Sequence, residues 1–213
     1  MQPHLLVSFT LACILLNLVP GPGMMFMIAH GVTGGRRAGV AAAFGMASGT
    51  SVHTVAAALG LSALLAAAPY ALDVIRIGGA IFLLYLAFRA LRDSRKPSPD
   101  VYGGRVTPGG HWLRRTYLSA ILTNLANPKV VLFFLAFVPQ FISPAGWSTT
   151  SQILLLGAVL IAVGLVMDSG IGLVAGTFAS ALKKRPAIRT WLLRTSAAIF
   201  GGLALRLMLT PRP

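Results

Sequence analysis

Acid is nearly missing from this chain. Its 213 residues hold four acidic side chains, all aspartate, against 18 Lys and Arg. Charged residues make up only 10%, where a soluble domain carries roughly a quarter. A water-soluble fold is therefore excluded, and an apolar fraction of 56% with a mean hydropathy of +0.79 places the chain in a bilayer. Cysteine occurs once, as Cys13, which excludes an intrachain disulfide and a thiolate metal cluster and leaves packing as its expected role. The four histidines, His4, His30, His53 and His111, are scattered. No Ser-His-Asp arrangement, phosphate loop or metal-ligand cluster can be assembled, so neither enzymatic catalysis nor a cofactor is expected. No Lys or Arg stands in Met1-Gln2-Pro3-His4 ahead of the first apolar run. A secretory signal would start positively charged, so that run reads as a retained membrane helix. The net charge of +14 suggests nucleic acid. The basic residues lie almost entirely between apolar runs, however, where membrane insertion demands them.

Six runs reach the length of about 20 residues that a spanning helix needs. They extend from Leu5 to Ala29, Ala38 to Ala67, Tyr70 to Leu91, Leu113 to Phe141, Gln152 to Ala179 and Thr190 to Leu209. The first connection holds Arg36 and Arg37. The third, with its edges, holds Arg89, Arg92, Arg95, Lys96, Arg105, Arg114 and Arg115, and the fifth holds Lys183, Lys184, Arg185 and Arg189. The second and fourth hold none, so the odd-numbered connections face the cytoplasm and both termini lie outside. Three spans on each side of a Pro-, Gly- and charge-rich linker insert in opposite senses. The expected architecture is an all-α membrane protein, a three-plus-three inverted repeat: residues 1–92, a cytoplasmic linker 93–112, and residues 113–213. Glycines at spacing four (Gly31, Gly35 and Gly39; Gly45 and Gly49; Gly172 and Gly176) point to close helix packing and permit a homodimer without requiring one.

Spans one and four are broken in their middles. The first break reads Asn17-Leu18-Val19-Pro20-Gly21-Pro22-Gly23, the second Asn124-Leu125-Ala126-Asn127-Pro128-Lys129. Proline inside a helix removes a donor and clashes with the preceding turn. Lipid cannot satisfy the freed groups, so protein or a water-filled cavity must surround them. Interrupted spans at matching places in two halves point to a transporter's binding site. A half-helix starting near Gly23 or Lys129 offers free N–H groups to a carboxylate. A half-helix ending near Leu16 to Leu18, or near Leu125, offers carbonyls to an ammonium. A zwitterion of amino-acid size matches both.

Single polar residues extend this reading. Asp168 lies well inside span five, where an ionised carboxylate costs about 2.5 to 3.5 kcal/mol on insertion scales. It is a candidate proton carrier, with a static ion pair or cap as the alternative. Lys129 could neutralise Asp168, attract a substrate carboxylate, or snorkel to the interface. His53 in span two suits a proton relay, or a neutral ring bonded to a neighbouring hydroxyl or carbonyl. Asn17, Asn124 and Asn127 flank the breaks and either cap loose backbone or bind substrate. Asp73, three residues before Arg76, reads as an interfacial pair.

Several motifs resemble the LysE/RhtB amino-acid exporters: the Pro20-Gly21-Pro22-Gly23 break, the turn Gly34-Gly35-Arg36-Arg37-Ala38-Gly39, the stretch Gly45 to Leu61 closing in Ala58-Leu59-Gly60-Leu61, and Thr123-Asn124-Leu125-Ala126-Asn127-Pro128-Lys129 before Phe133-Phe134. The likeness covers essentially the whole chain in length, spacing and order. It implies export of amino acids or related metabolites across a bacterial inner membrane, driven by the proton gradient. Many similar members carry an acid near Thr50, where this chain has Thr50-Ser51. The scarcity of acid favours a neutral substrate. The expected function is thus export of a small amino acid or derivative by proton antiport. Asn17, Pro20, Gly21, Pro22, Gly23, Asn124, Asn127, Pro128 and Lys129 form the substrate site, and Asp168 with His53 carries the proton. An ion or metal transporter and a non-transporting scaffold are the competing classes. The first is short of ligands. The second requires Pro20, Pro128 and Asp168 to be replaceable without loss of flux.

Overall fold

A computed structural model of the chain describes residues 3–67, 71–95, 111–143, 147–184 and 186–209. These residues are helical almost throughout, with no strand among them. The helices are α1 (Pro3–Leu18), α2 (Pro22–Gly34), α3 (Arg36–Ala67), α4 (Ala71–Asp93), α5 (Trp112–Leu125), α6 (Pro128–Leu132), α7 (Thr149–Lys184) and α8 (Pro186–Leu209). Most of the expected linker and the side chains of Asp73 and Arg76 lie outside the described residues.

Both breaks fall where proline puts them. The chain leaves α1 at Leu18 and re-enters helix at Pro22, with a 57° bend between α1 and α2. It leaves α5 at Leu125 and re-enters at Pro128, with a 47° bend to the segment ending at Phe141. Pro22 and Pro128 both sit in the first turn of the helix they open, where a missing N–H costs nothing. By length and composition, α7 over Thr149–Ala175 can cross a membrane, with a mean hydropathy of 2.3. Each bent pair qualifies too when counted as one span.

The second half of the fourth apolar run departs from a plain α-helix. After five residues of α6 it widens to a π-helix at Phe133–Phe137 and tightens to a 3-10 turn at Val138–Phe141. Pro139 is the physical reason. It has no N–H for the α-helical bond, and its ring would meet the carbonyl four residues back. The shifted register stacks Phe133 on Phe137, with centroids 5.0 Å apart. It also brings Phe141 edge-on to Phe9 of α1 at 5.1 Å.

α7 is the central element and packs against α1, α2 and α3. α3 also packs on α5, and α4 pairs with α8. Glycine permits the closest crossings. A Cβ on Gly172 would stand 2.6 Å from the Gly39 carbonyl carbon, so α3 and α7 touch backbone to backbone. Gly45 and Gly49 let α3 lie against Tyr117, Ala120 and Asn124 of α5. Gly31, Gly39, Gly45, Gly49 and Gly172 thus make their close contacts inside the chain. Gly35 turns α2 into α3 with φ 75°, a conformation that L side chains rarely adopt. Two of the apolar clusters among the described residues are large. One joins α1 to the Phe-rich segment and α7, and the other joins α2 to α3 around Met24, Met27 and Met46.

Candidate functional site

A cavity of about 60 Å³ lies between these two clusters, at the level of both breaks. Its walls come from α1, α2, α3, α5, α6 and α7. Of the residues singled out from the sequence, it gathers Asn17, Gly23, Asn124, Asn127, Lys129 and Asp168. Pro20, Gly21, Pro22 and Pro128 shape the breaks without lining the cavity, although a Cβ on Gly21 would stand 3.6 Å from Lys129 Nζ. His53 does not line it either.

The breaks leave four helix ends near this cavity, and three have side-chain partners. The N-terminus of α6 is capped by Asn127, whose Oδ1 accepts from the Lys129 N–H at 3.1 Å. At the C-terminus of α5, the Asn124 carbonyl faces His53 Nε2 at 3.4 Å, and the His53 ring lies against Phe134. The C-terminus of α1 is met by Lys129, whose Nζ donates to Leu16 O at 3.2 Å and to Val19 O at 3.3 Å. The carbonyls expected to face a substrate ammonium are thus occupied by a side chain from the opposite break. The reach of the lysine stem explains this: it spans the two bends that the prolines bring together.

The fourth end has no side-chain partner among the described residues. Gly21 stands at the N-cap of α2 with no side-chain bond, so the first N–H groups of that helix have no side-chain partner. Gly23 looks into the cavity, where a Cβ would meet Met46 Sδ at 3.4 Å and Asn127 Nδ2 at 3.8 Å. Of the two anion sites expected at the breaks, this one remains open.

The polar wall opposite is mixed. Asp168 and Lys129 are the ionisable groups that line the cavity. No direct ion pair joins them; the ion pair seen among the described residues is Arg89 with Asp93, at 3.9 Å. Asn17 Nδ2 donates to Cys13 O at 2.9 Å, and its Oδ1 points toward Gly164, one turn before Asp168. Asn124 Nδ2 reaches Thr50 Oγ1 at 3.3 Å, while its Oδ1, pressed toward Gly49, has no partner. Thr50 faces the cavity and donates to Met46 O at 3.1 Å.

Sequence reasoning passed over the apolar wall of Met24, Met27 and Met46. The run Met24-Met25-Phe26-Met27 directly after the first break was the available signal. Flexible, polarizable thioethers adapt to irregular apolar groups.

A family model described as LysE type translocator matches residues 14–210. An uncharacterized membrane protein of Vibrio cholerae is 29% identical, covering 97% of this chain and 98% of its own length. A homoserine/homoserine lactone efflux protein of Salmonella typhimurium is 29% identical over 83% of this chain and 82% of that protein. A leucine efflux protein of Enterobacter sp. is 29% identical over 72% of this chain and 71% of that protein. No solved structure matches significantly.

Proposed function

The chain belongs to the LysE type translocator family, and on that premise we propose that it exports a small neutral amino acid or derivative across the bacterial inner membrane by proton antiport. The observation that carries this reading is the cavity where both broken spans converge on one ammonium and one carboxylate. A zwitterion is complementary to it. The substrate carboxylate faces the free N-terminus of α2 near Gly23, which the helix dipole makes positive. The side chain lies on Met24, Met27 and Met46, and the ammonium lies toward Asp168 and the carbonyl end of α1. A second substrate cation would find no further carboxylate in the wall, which favours a neutral side chain.

The cavity is small beside the roughly 300–1,000 Å³ of most ligand pockets, so the described form is a narrowed one and substrate entry requires it to widen. Helix packing supports a six-span inverted repeat. Exchanging spans one with four, two with five and three with six maps the α3–α7 and α4–α8 contacts onto themselves. The same exchange maps α3–α5 onto the contact of α7 with α1 and α2. It also pairs Asn17 facing Gly164 with Asn124 facing Gly49. In this arrangement the Lys- and Arg-rich connections face the cytoplasm and both termini face the periplasm. Asp168 carries the proton. One charge falling through about 100 mV supplies roughly 2.3 kcal/mol for accumulation outside.

The test is uptake into inside-out vesicles with an imposed gradient, acid inside. The panel of labelled amino acids includes leucine and homoserine. Gradient-driven uptake of one of them, lost in Asp168→Asn, is the expected result. A folded, inserted protein that moves none of the panel would overturn the reading.

A further inference from the structure

Lys129 makes an unexpected choice of partner. It shares the cavity with Asp168, the carboxylate that lines it. A buried ammonium and a buried carboxylate are each costly in low dielectric, and pairing offsets part of that cost. Here no direct ion pair forms. The ammonium instead holds two backbone carbonyls of the other half of the chain, Leu16 O at 3.2 Å and Val19 O at 3.3 Å. Those carbonyls sit at the negative end of α1. A primary ammonium is the group they bind here, and any other primary ammonium of similar size suits them equally.

We propose that Lys129 is a tethered stand-in for the substrate's ammonium group. The carbonyls of Leu16 and Val19 form the ammonium subsite. Lys129 fills it while the cavity is empty, and an arriving amino acid displaces Lys129 toward Asp168. The identity of the arriving ammonium rests on the exporter reading above; the subsite itself rests on the hydrogen bonds.

The displacement couples substrate binding to proton release. With Lys129 on the carbonyls, Asp168 keeps its carboxyl proton. When the substrate's ammonium takes the carbonyls, the Lys129 ammonium faces Asp168. The carboxyl O–H bond then breaks, its electron pair stays on the carboxylate, and the proton leaves to water on the side the cavity faces. A zwitterion of zero net charge enters and one proton departs, so the site ends one positive charge lower and does not hold substrate and proton together, which is the requirement of antiport. The following titratable groups on the packed elements, all among the described residues, are engaged or turned elsewhere. His53 of α3 faces Asn124 O, His30 of α2 faces Phe26 O, and Tyr117 of α5 pairs with Ser48. Cys13 of α1 lies in the apolar core, and Arg194 of α8 is exposed.

Purified protein in detergent gives two separable readouts. Lys129→Met keeps an apolar stem and vacates the carbonyl pair; Lys129→Ala vacates the whole stem. Methylammonium should raise the Tm of Lys129→Met, and n-butylammonium that of Lys129→Ala, by mass action. Methanol and n-butanol at equal concentration should do nothing, and wild type, where the amine must first displace Lys129, should respond less than either variant. The absence of amine-specific stabilisation in both variants would overturn the proposal. The second readout is proton release into weakly buffered solution on adding L-leucine or L-homoserine. Wild type should release about one proton per amino acid bound, whereas Lys129→Met should bind without release. Release that persists in Lys129→Met, or binding lost in the folded variant, would overturn the stand-in role. If neither amino acid binds wild type while the amines stabilise the variants, the exporter reading fails and the ammonium subsite stands.

Discussion

The crossing of α3 and α7 makes a quantitative prediction, because two glycines two residues apart on α7 have opposite surroundings. An ideal Cβ on Gly172 would stand 2.6 Å from the Gly39 carbonyl carbon, 2.7 Å from its oxygen and 3.0 Å from its Cα. None of these is the end of a flexible side chain, so relief requires the two longest helices to separate. Overpacking of this kind costs about 1–3 kcal/mol. A Cβ on Gly170 would meet nothing within 4 Å, and alanine there gains roughly 0.5–1 kcal/mol over glycine in a helix interior. At about 2–4 °C per kcal/mol for a chain of this length, Gly172→Ala should lower Tm by about 2–12 °C. On the same scale Gly170→Ala should raise it by about 1–4 °C. The assay is thermal unfolding of the detergent-purified proteins at matched lipid content. Equal Tm values for the two variants, or a more stable Gly172→Ala, would refute the backbone-to-backbone crossing and with it the placement of Asp168 one turn before Gly172.

Three further outcomes follow from named contacts. Asn127→Ala removes the side-chain cap of α6 and should cost about 1 kcal/mol of stability, read as a lower Tm, with Asn127→Asp recovering most of it. Gln152→Leu strips partners from Ser143 N, Ser143 O and Trp147 O. At about 1–3 kcal/mol for an unsatisfied buried group, it should destabilise more than Asn127→Ala in the same melt. Asp168→Asn should abolish the response of uptake to an imposed pH gradient while sparing exchange of labelled for unlabelled amino acid. One pH unit sets about a tenfold ceiling on accumulation per proton, and a variant that still reaches it would remove Asp168 from the proton path.

Much of the fold was legible because its signals are local. Pro20 and Pro128 act on the turns that precede them, so the ends of α1 and α5 at Leu18 and Leu125 could be placed from the chain alone. The apolar runs gave the helices for the same reason. The Phe133–Phe141 segment escaped, since composition alone does not say whether a helix meeting Pro139 bends, widens or stops. At the site, the asparagines were found because each flanks a break, and Asp168 because charge is so scarce here. His53 was singled out by its place in an apolar span, but its ring is turned to the Asn124 carbonyl and away from the cavity.

Which side chain satisfies which helix end was not legible, and the reason is geometric. The Lys129 bonds to Leu16 and Val19 join residues 113 and 110 positions apart. They form only because a 57° bend and a 47° bend bring two helix ends within the reach of one lysine stem. Sequence supplies the kind of each end, carbonyl-rich or N–H-rich, but not its neighbour across the fold. The same limit explains why the sequence leaves open which ends are capped and which face a substrate, when three have side-chain partners. Asn127 caps its own helix two residues on, a local event that an asparagine ahead of Pro128 allows. Gly21 in the matching place has no side chain to do so. The difference between the two breaks, asparagine in one and glycine in the other, leaves the α2 terminus as the position for an anion. In the proposed exporter, that difference gives the substrate one orientation.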